Sequence, residues 1–271
     1  LAGAKFQVIN RSSNSVKVGN KVYAPGDVIC ELTTDAKGFA KTDNIFPVGT
    51  YEIKEISAPT GYLLNSQWKQ TFSVTADKKD HSFTYADGTG CPDTVIAGKI
   101  QITKKIVNTI DNLNAAEVGA KFSVADKNGT VVDTITTGEN GIGISKNLPY
   151  GTYTIKQISG QAGTIFCESW TVTVNEHGKI YEYTKENPLW TASVSLHKKE
   201  AGVETPLVGT FELCERMADG TVKILETGTT DAEGNLIFAR NIVYTDGVCN
   251  KSAYFIREKV APAGYVQDTN E

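Results

Sequence analysis

Long hydrophobic runs are missing from this 271-residue chain. No apolar stretch approaches the roughly 20 residues that a membrane-spanning helix needs. Basic excess is missing too: the net charge is −4, which gives no electrostatic footprint for nucleic acid. No segment carries a sustained 3.6-residue period, and there is a single methionine. The five cysteines (Cys30, Cys91, Cys167, Cys214, Cys249) match no CxxC metal knuckle. His81, His177 and His197 form no ligand-spaced pair. Neither a P-loop nor a Ser/His/Asp constellation is legible. No metal or cofactor is expected, and no enzyme acting on an external substrate. Leu1 does not open a leader and Glu271 does not close a sorting tail, so the chain is expected to be the interior of a longer mature protein.

What is abundant is Thr, Val, Ile, Tyr and Gly, punctuated by turn signals every ten residues or so. That pattern predicts an all-β protein. Its strongest feature is repetition. The stretch YEIKEISAPTGY from Tyr51 returns as YTIKQISGQAGT from Tyr153 and as YFIREKVAPAGY from Tyr254. LAGAKF from Leu1 matches EVGAKF ending at Phe122 and LVGTF ending at Phe211. TTDAKGFA from Thr33 matches TTGENGIG from Thr136 and TTDAEGNL from Thr229. Several pieces recurring in fixed order about 100 residues apart predict tandem domains, with limits near 1–92, 93–189 and 190–271. The middle copy is complete, from KIQITKKIV at Lys99 to KIYEYTKENP ending at Pro188. Copy one is expected to lack its first strand and copy three its last.

Parity along the strands raises a chemical question. Tyr51, Ile53 and Glu55 share one face of a period-2 strand, so Glu55 points where a core should be. Gln157 and Glu258 hold the same position in the other copies. Lys104 follows Ile100 and Ile102 on one face, and Lys198 follows Val194 and Leu196. In the closing strands Asp87 follows Phe83 and Tyr85, and Asn187 follows Tyr181 and Tyr183. A lone in-line lysine would mean little, because strand ends carry polar residues that reach solvent. Recurrence at matching positions points to chemistry instead. A lysine buried among apolar groups loses its proton more easily and becomes a neutral nucleophile. A buried acid beside it can shuttle that proton. The target would be the side chain of an Asp or Asn, and the product an intramolecular amide.

The pattern YxxxExxAPxGY, with GAxF upstream and an N-x-P strand end, resembles the repeats of Gram-positive surface proteins: collagen-adhesin B-type and SpaA-type pilin domains. The resemblance covers nearly the whole chain. It implies tandem immunoglobulin-like β-sandwiches of inverse, prealbumin-like topology, with self-formed Lys–Asn/Asp isopeptide bonds. It also implies an extracellular, cell-wall-anchored protein serving as a stalk or pilus shaft. The alternative is an adhesin module for host matrix protein or glycan, with the loop Asn241–Ser252 of copy three as its nominated surface. Partners would be neighbouring domains or subunits of the same surface protein. Under this resemblance Glu55 and Glu258 are the assisting acids, and Asp87, Lys104, Asn187 and Lys198 the bond-forming residues. The lysine of copy one is expected upstream of Leu1, and the acceptor of copy three beyond Glu271. Gln157 replaces the acid in copy two, and an amide cannot donate and accept a proton in one cycle. No bond is therefore expected there, and no copy holds a complete trio. Cys214 and Cys249 are the candidate disulfide, Cys30 a buried free thiol, and Cys91 and Cys167 are left open, as a pair or as free thiols.

Overall fold

The computed structural model of the chain describes every residue except 44, 111, 218, 244–253 and 271. The described residues form strands and turns and no helix. Each copy is built around one antiparallel sheet of the same plan. In copy one Lys5–Asn10 lies between Val28–Thr33 and Gly49–Ser57, and Lys69–Val74 closes the sheet. Copy two repeats this with Lys121–Ala125, Val131–Thr136, Gly151–Ser159 and Trp170–Val174. In copy three Thr210–Arg216 pairs with Val222–Thr229 and Tyr254–Val260. The fold class is all-β, as the sequence implies, with a sheet of one plan in each copy.

A second sheet covers the first in copy two. Its centre is the long strand Ala97–Asn108, which pairs antiparallel with Leu113–Ala116 and Ile142–Ile144. The same strand pairs in parallel with the closing strand Ile180–Pro188. Ile100, Ile102, Phe122, Val124, Ile135, Leu148, Ile155, Val172 and Val174 fill the space between the sheets. Alternation explains it: each strand sends every second side chain inward, and those are the Val, Ile and Phe positions. Tyr181 and Tyr183 pack against the same cluster from the closing strand.

In copy one the corresponding face borders a cavity of about 650 Å³ lined by Phe6, Val8, Ile53, Phe72 and Val74 among others. Phe83 also lines it, but residues 81–90 form no strand. The expected closing strand through Asp87 is thus corrected. The Ala-Asp-Gly-Thr sequence prefers a turn: Asp87 Oδ1 accepts the Thr84 and Thr89 N–H groups, and Gly88 takes φ 75°.

Two local devices recur in all copies. A bulge precedes the phenylalanine of the GAKF-type strand, which sets Phe6 opposite Glu55, Phe122 opposite Gln157 and Phe211 opposite Glu258. The motif tyrosine donates its hydroxyl to a carbonyl upstream of its strand: Tyr51 to Pro47, Tyr153 to Pro149 and Tyr254 to Val243. In copies one and two the turn after the motif strand grips the next linker. Ile96 N–H donates to Gly61, and Trp190 N–H to Gly163.

Phe122 has no exposed surface and meets Trp170 edge-on, with ring centroids 6.0 Å apart. Truncating it removes about 3–5 kcal/mol of stability. Denaturant unfolding of Phe122→Ala, followed by Trp fluorescence, is expected to shift the copy-two transition to lower denaturant by that amount.

Candidate functional site

The parallel register of Ala97–Asn108 and Ile180–Pro188 sets Lys104 opposite Lys185 and Asn187 opposite Ile106. Lys104 and Asn187 are thus diagonal neighbours on the inward face. Both are fully buried, at 0% exposure. A third buried residue joins them, and it is not the motif residue. Glu117, 1% exposed, places Oε2 3.0 Å from Lys104 Nζ. The same oxygen accepts from Asn187 Nδ2 at 3.2 Å. Its other oxygen, Oε1, accepts the Gln161 backbone N–H at 2.6 Å.

Glu117 is held there by its backbone. Its N–H donates to the Lys104 carbonyl, and its own carbonyl accepts the Thr137 hydroxyl at 2.6 Å. The Lys104 ammonium also donates to the Lys105 carbonyl at 2.8 Å. Burial pushes the Lys104 amine below its ordinary value, against the opposing pull of Glu117. The Asn187 carbonyl oxygen accepts the Cys167 N–H at 3.0 Å, and Thr164 Oγ1 lies 3.3 Å from its amide nitrogen.

Two expectations for copy two change. Gln157 is buried where parity puts it, but it faces the Cys167 loop: its Oε1 accepts the Cys167 N–H at 3.3 Å and lies 3.4 Å from the thiol. The expectation that copy two lacks an acid, and that no copy holds a complete trio, is overturned. Glu117 supplies the acid from the loop before the GAKF-type strand. Periodicity could not reveal it, because a loop residue has no parity. The aligned starts LAGAKF, EVGAKF and LVGTF carried the signal, since the one acid among them is Glu117.

Glu55 and Glu258 are buried as parity predicts. In every copy the motif side chain staples the residue ten positions later. Glu55 accepts the Asn65 N–H, Glu258 the Asp268 N–H, and Gln157 the Cys167 N–H. In copy three the free oxygen of that staple lies 3.0 Å from Lys198 Nζ. In copy one the structure does not bring Asp87 to Glu55. Asp87 is exposed and spent on its own turn. The groups beside Glu55 are Cys91 and Asp93, and the ligand-type atoms of the three lie within 4.8 Å of one another. Burial pushes the Glu55 carboxyl up, and the charge of Asp93 adds to the rise.

Burial, then Glu55 and Asp93, push the Cys91 thiol up to about 12. Lys5 is exposed and takes no part. Cys30, Cys91 and Cys167 are unpaired; Cys30 is half-buried rather than buried. Cys214 is buried despite its outward parity, and its proposed partner Cys249 lies outside the described residues.

Fold and site together define a tandem β-sandwich protein with an amine, a carboxyl and a carboxamide buried between the first and last strands of one sandwich. The chain belongs to the SpaA family of prealbumin-like fold domains, whose model matches residues 1–89 and 98–188. No curated protein matches the sequence. Among solved structures, the TIE protein of Bacillus anthracis is 24% identical, with a TM-score of 0.62 over 99% of this chain. This chain spans 44% of that protein's length. The minor pilin of Streptococcus agalactiae is 20% identical over 70% of this chain and 84% of its own, with a TM-score of 0.33. The shaft pilin of Lactobacillus rhamnosus GG is 15% identical over 65% of this chain and 92% of its own, with a TM-score of 0.31.

The raised Cys91 thiol makes a reactivity prediction. At pH 8 a thiol titrating near 12 carries almost no thiolate. Native-state alkylation of Cys91 by iodoacetamide is expected to run at least tenfold slower than that of a free model thiol. Peptide mapping after timed labelling reads the rate.

Proposed function

We propose that the chain is a tension-resisting segment of a Gram-positive surface protein, a stalk or pilus shaft, exposed outside the cell and anchored to its wall. The unit of construction is the sandwich, divided near 1–92, 93–189 and 190–271. In copy two an amide between Lys104 and Asn187 ties the first strand to the last. The observation that carries this reading is the pair of fully buried side chains meeting on one carboxylate oxygen. A buried lysine with only an ion-pair role is a poor bargain, because an apolar pair of the same volume is often as stable. Its retention beside a buried carboxamide makes chemical sense as a nucleophile.

The geometry supports the mechanical part. The chain enters copy two along Ala97–Asn108 and leaves along Ile180–Pro188, and these strands lie side by side in parallel. Pulling on the two ends loads that pair directly. An amide between Lys104 and Asn187 would route force across the pair and past the residues between. Closing a loop of about 80 residues also contributes roughly 4–5 kcal/mol in the chain-entropy account.

The other copies fit the same plan in part. Copy three pairs Lys198 with Glu258. In copy one we assign Asp93, not Asp87, as the acceptor-type residue beside Glu55. Neighbouring domains or subunits of the same surface protein would be the partners. The family membership favours a structural role over an enzyme acting on other molecules. The adhesin alternative rests on the loop Asn241–Ser252, most of which lies outside the described residues.

Amide formation expels one ammonia. Intact-mass analysis of the chain is expected to read about 17 Da below the sequence mass, and digestion to yield a Lys104–Asn187 branched peptide. Lys104→Ala would restore the full mass less the side-chain difference, and would lower the copy-two unfolding midpoint by about 15–30 °C in calorimetry. A wild-type chain at full mass would overturn the cross-link.

A further inference from the structure

The three copies differ at the site in a linked way. The residue that starts the GAKF-type stretch is Leu1 in copy one and Leu207 in copy three, but Glu117 in copy two. The three occupy one structural position: each offers its carbonyl to a threonine hydroxyl, from Thr34, Thr230 and Thr137 respectively. The motif acid changes in the opposite sense, from Glu55 and Glu258 to Gln157. Two further changes accompany these. Ala58 and Ala261 become Gly160, and Pro59 and Pro262 become Gln161.

Both accompanying changes serve Glu117. A Cβ on Gly160 would lie 2.6 Å from Glu117 Oε1 and 2.5 Å from Gln157 Nε2, so alanine would collide with the carboxylate. Gln161 donates its backbone N–H to that same oxygen, and proline has no N–H to donate. Four positions that are separate in sequence thus change together around one carboxyl group.

We infer that in copy two the catalytic carboxyl of amide formation has moved from the motif strand to Glu117, and that the Cys167 backbone N–H activates the Asn187 carbonyl. The inference rests on the cross-link proposed above and assigns its chemistry. Lys104 first passes one ammonium proton to Glu117 Oε2, and the neutral amine then attacks Cγ of Asn187, forming the N–C bond. The carbonyl electrons move onto Oδ1, where the Cys167 N–H receives the developing charge. Glu117 Oε2 delivers that proton to Nδ2, which it already contacts, and takes the surplus proton of the attacking nitrogen, ending protonated. The C–Nδ2 bond breaks, the carbonyl reforms and ammonia leaves. No oxidant or further reactant is required. Gln157 is a positioning residue: it shares the Cys167 N–H and holds that loop against Asn187.

Intact mass and branched-peptide mapping test this on the full chain. The wild type is expected to be linked. Glu117→Gln is expected to fold and remain unlinked at full mass, since an amide cannot carry the proton. Glu117→Asp keeps a carboxyl one methylene short, and its linked fraction in freshly purified protein is expected to fall at least tenfold. The double variant Glu117→Gln/Gln157→Glu returns the acid to the motif position, and the link is expected to reappear. A folded Glu117→Gln that still loses ammonia overturns the assignment of Glu117 and leaves the cross-link intact. Should that variant not fold, Glu117→Asp linked as fully as wild type overturns the assignment instead. An unlinked wild type overturns the cross-link itself.

Discussion

Burying one ammonium group sets the terms for copy two. Lys104 sits with no exposed surface between two sheets of Ile, Val and Phe. An unpaired charge there would cost several kcal/mol. Its neighbours answer that cost: a buried carboxylate at 3.0 Å, a backbone carbonyl at 2.8 Å, and a loop folded back to hold the carboxylate. Asn187 completes the set from the far end of the chain segment. The first and last strands must lie side by side for these groups to meet, so the chemistry and the topology specify one another.

The remaining architecture serves that meeting. The bulge before Phe122 keeps the phenylalanine opposite Gln157 and beside the core, so the motif strand presents one polar side chain inward without opening the apolar cluster. The turn after the motif strand then reaches the closing strand. Thr164 bridges to Leu189, and Ile165 N–H donates to Pro188. Asn187 is therefore pinned at the residue that follows it. The same turn grips the linker toward copy three through Trp190. Positioning of the carboxamide and attachment of the next copy share one set of backbone hydrogen bonds.

What could be read from the sequence was whatever strands carry. Period-2 alternation placed Lys104, Glu55, Gln157, Glu258 and Asn187 inside, and all five are buried. Alternation failed where the backbone leaves the strand. Asp87 kept the parity of Phe83 and Tyr85 on paper, but its own side chain builds a turn and ends the alternation. Asp93 and Glu117 lie outside any such pattern, one after a Cys-Pro pair and the other before a Gly-Ala pair. Their directions are decided by tertiary hydrogen bonds that a single segment does not reveal. Cys214 shows a related limit. The bulge between Leu213 and Cys214 shifts the register, and the outward face there is covered rather than solvated.

The comparison of copies reaches further than the reading of any one copy. A motif residue that stays polar but loses its proton chemistry, as Gln157 does, suggests decay when copy two is viewed alone. Set beside the loss of proline at Gln161 and of a side chain at Gly160, it has another meaning. Decay would leave those positions free to vary without regard to each other. Instead the glycine makes room for a carboxylate and the new N–H binds it. The amine constrains only the presence of a proton acceptor within reach, and a sandwich offers more than one wall from which to supply it. The staple at the motif position persists in every copy whatever its side chain, because holding the segment that follows the motif strand is a structural task that an amide performs as well as an acid.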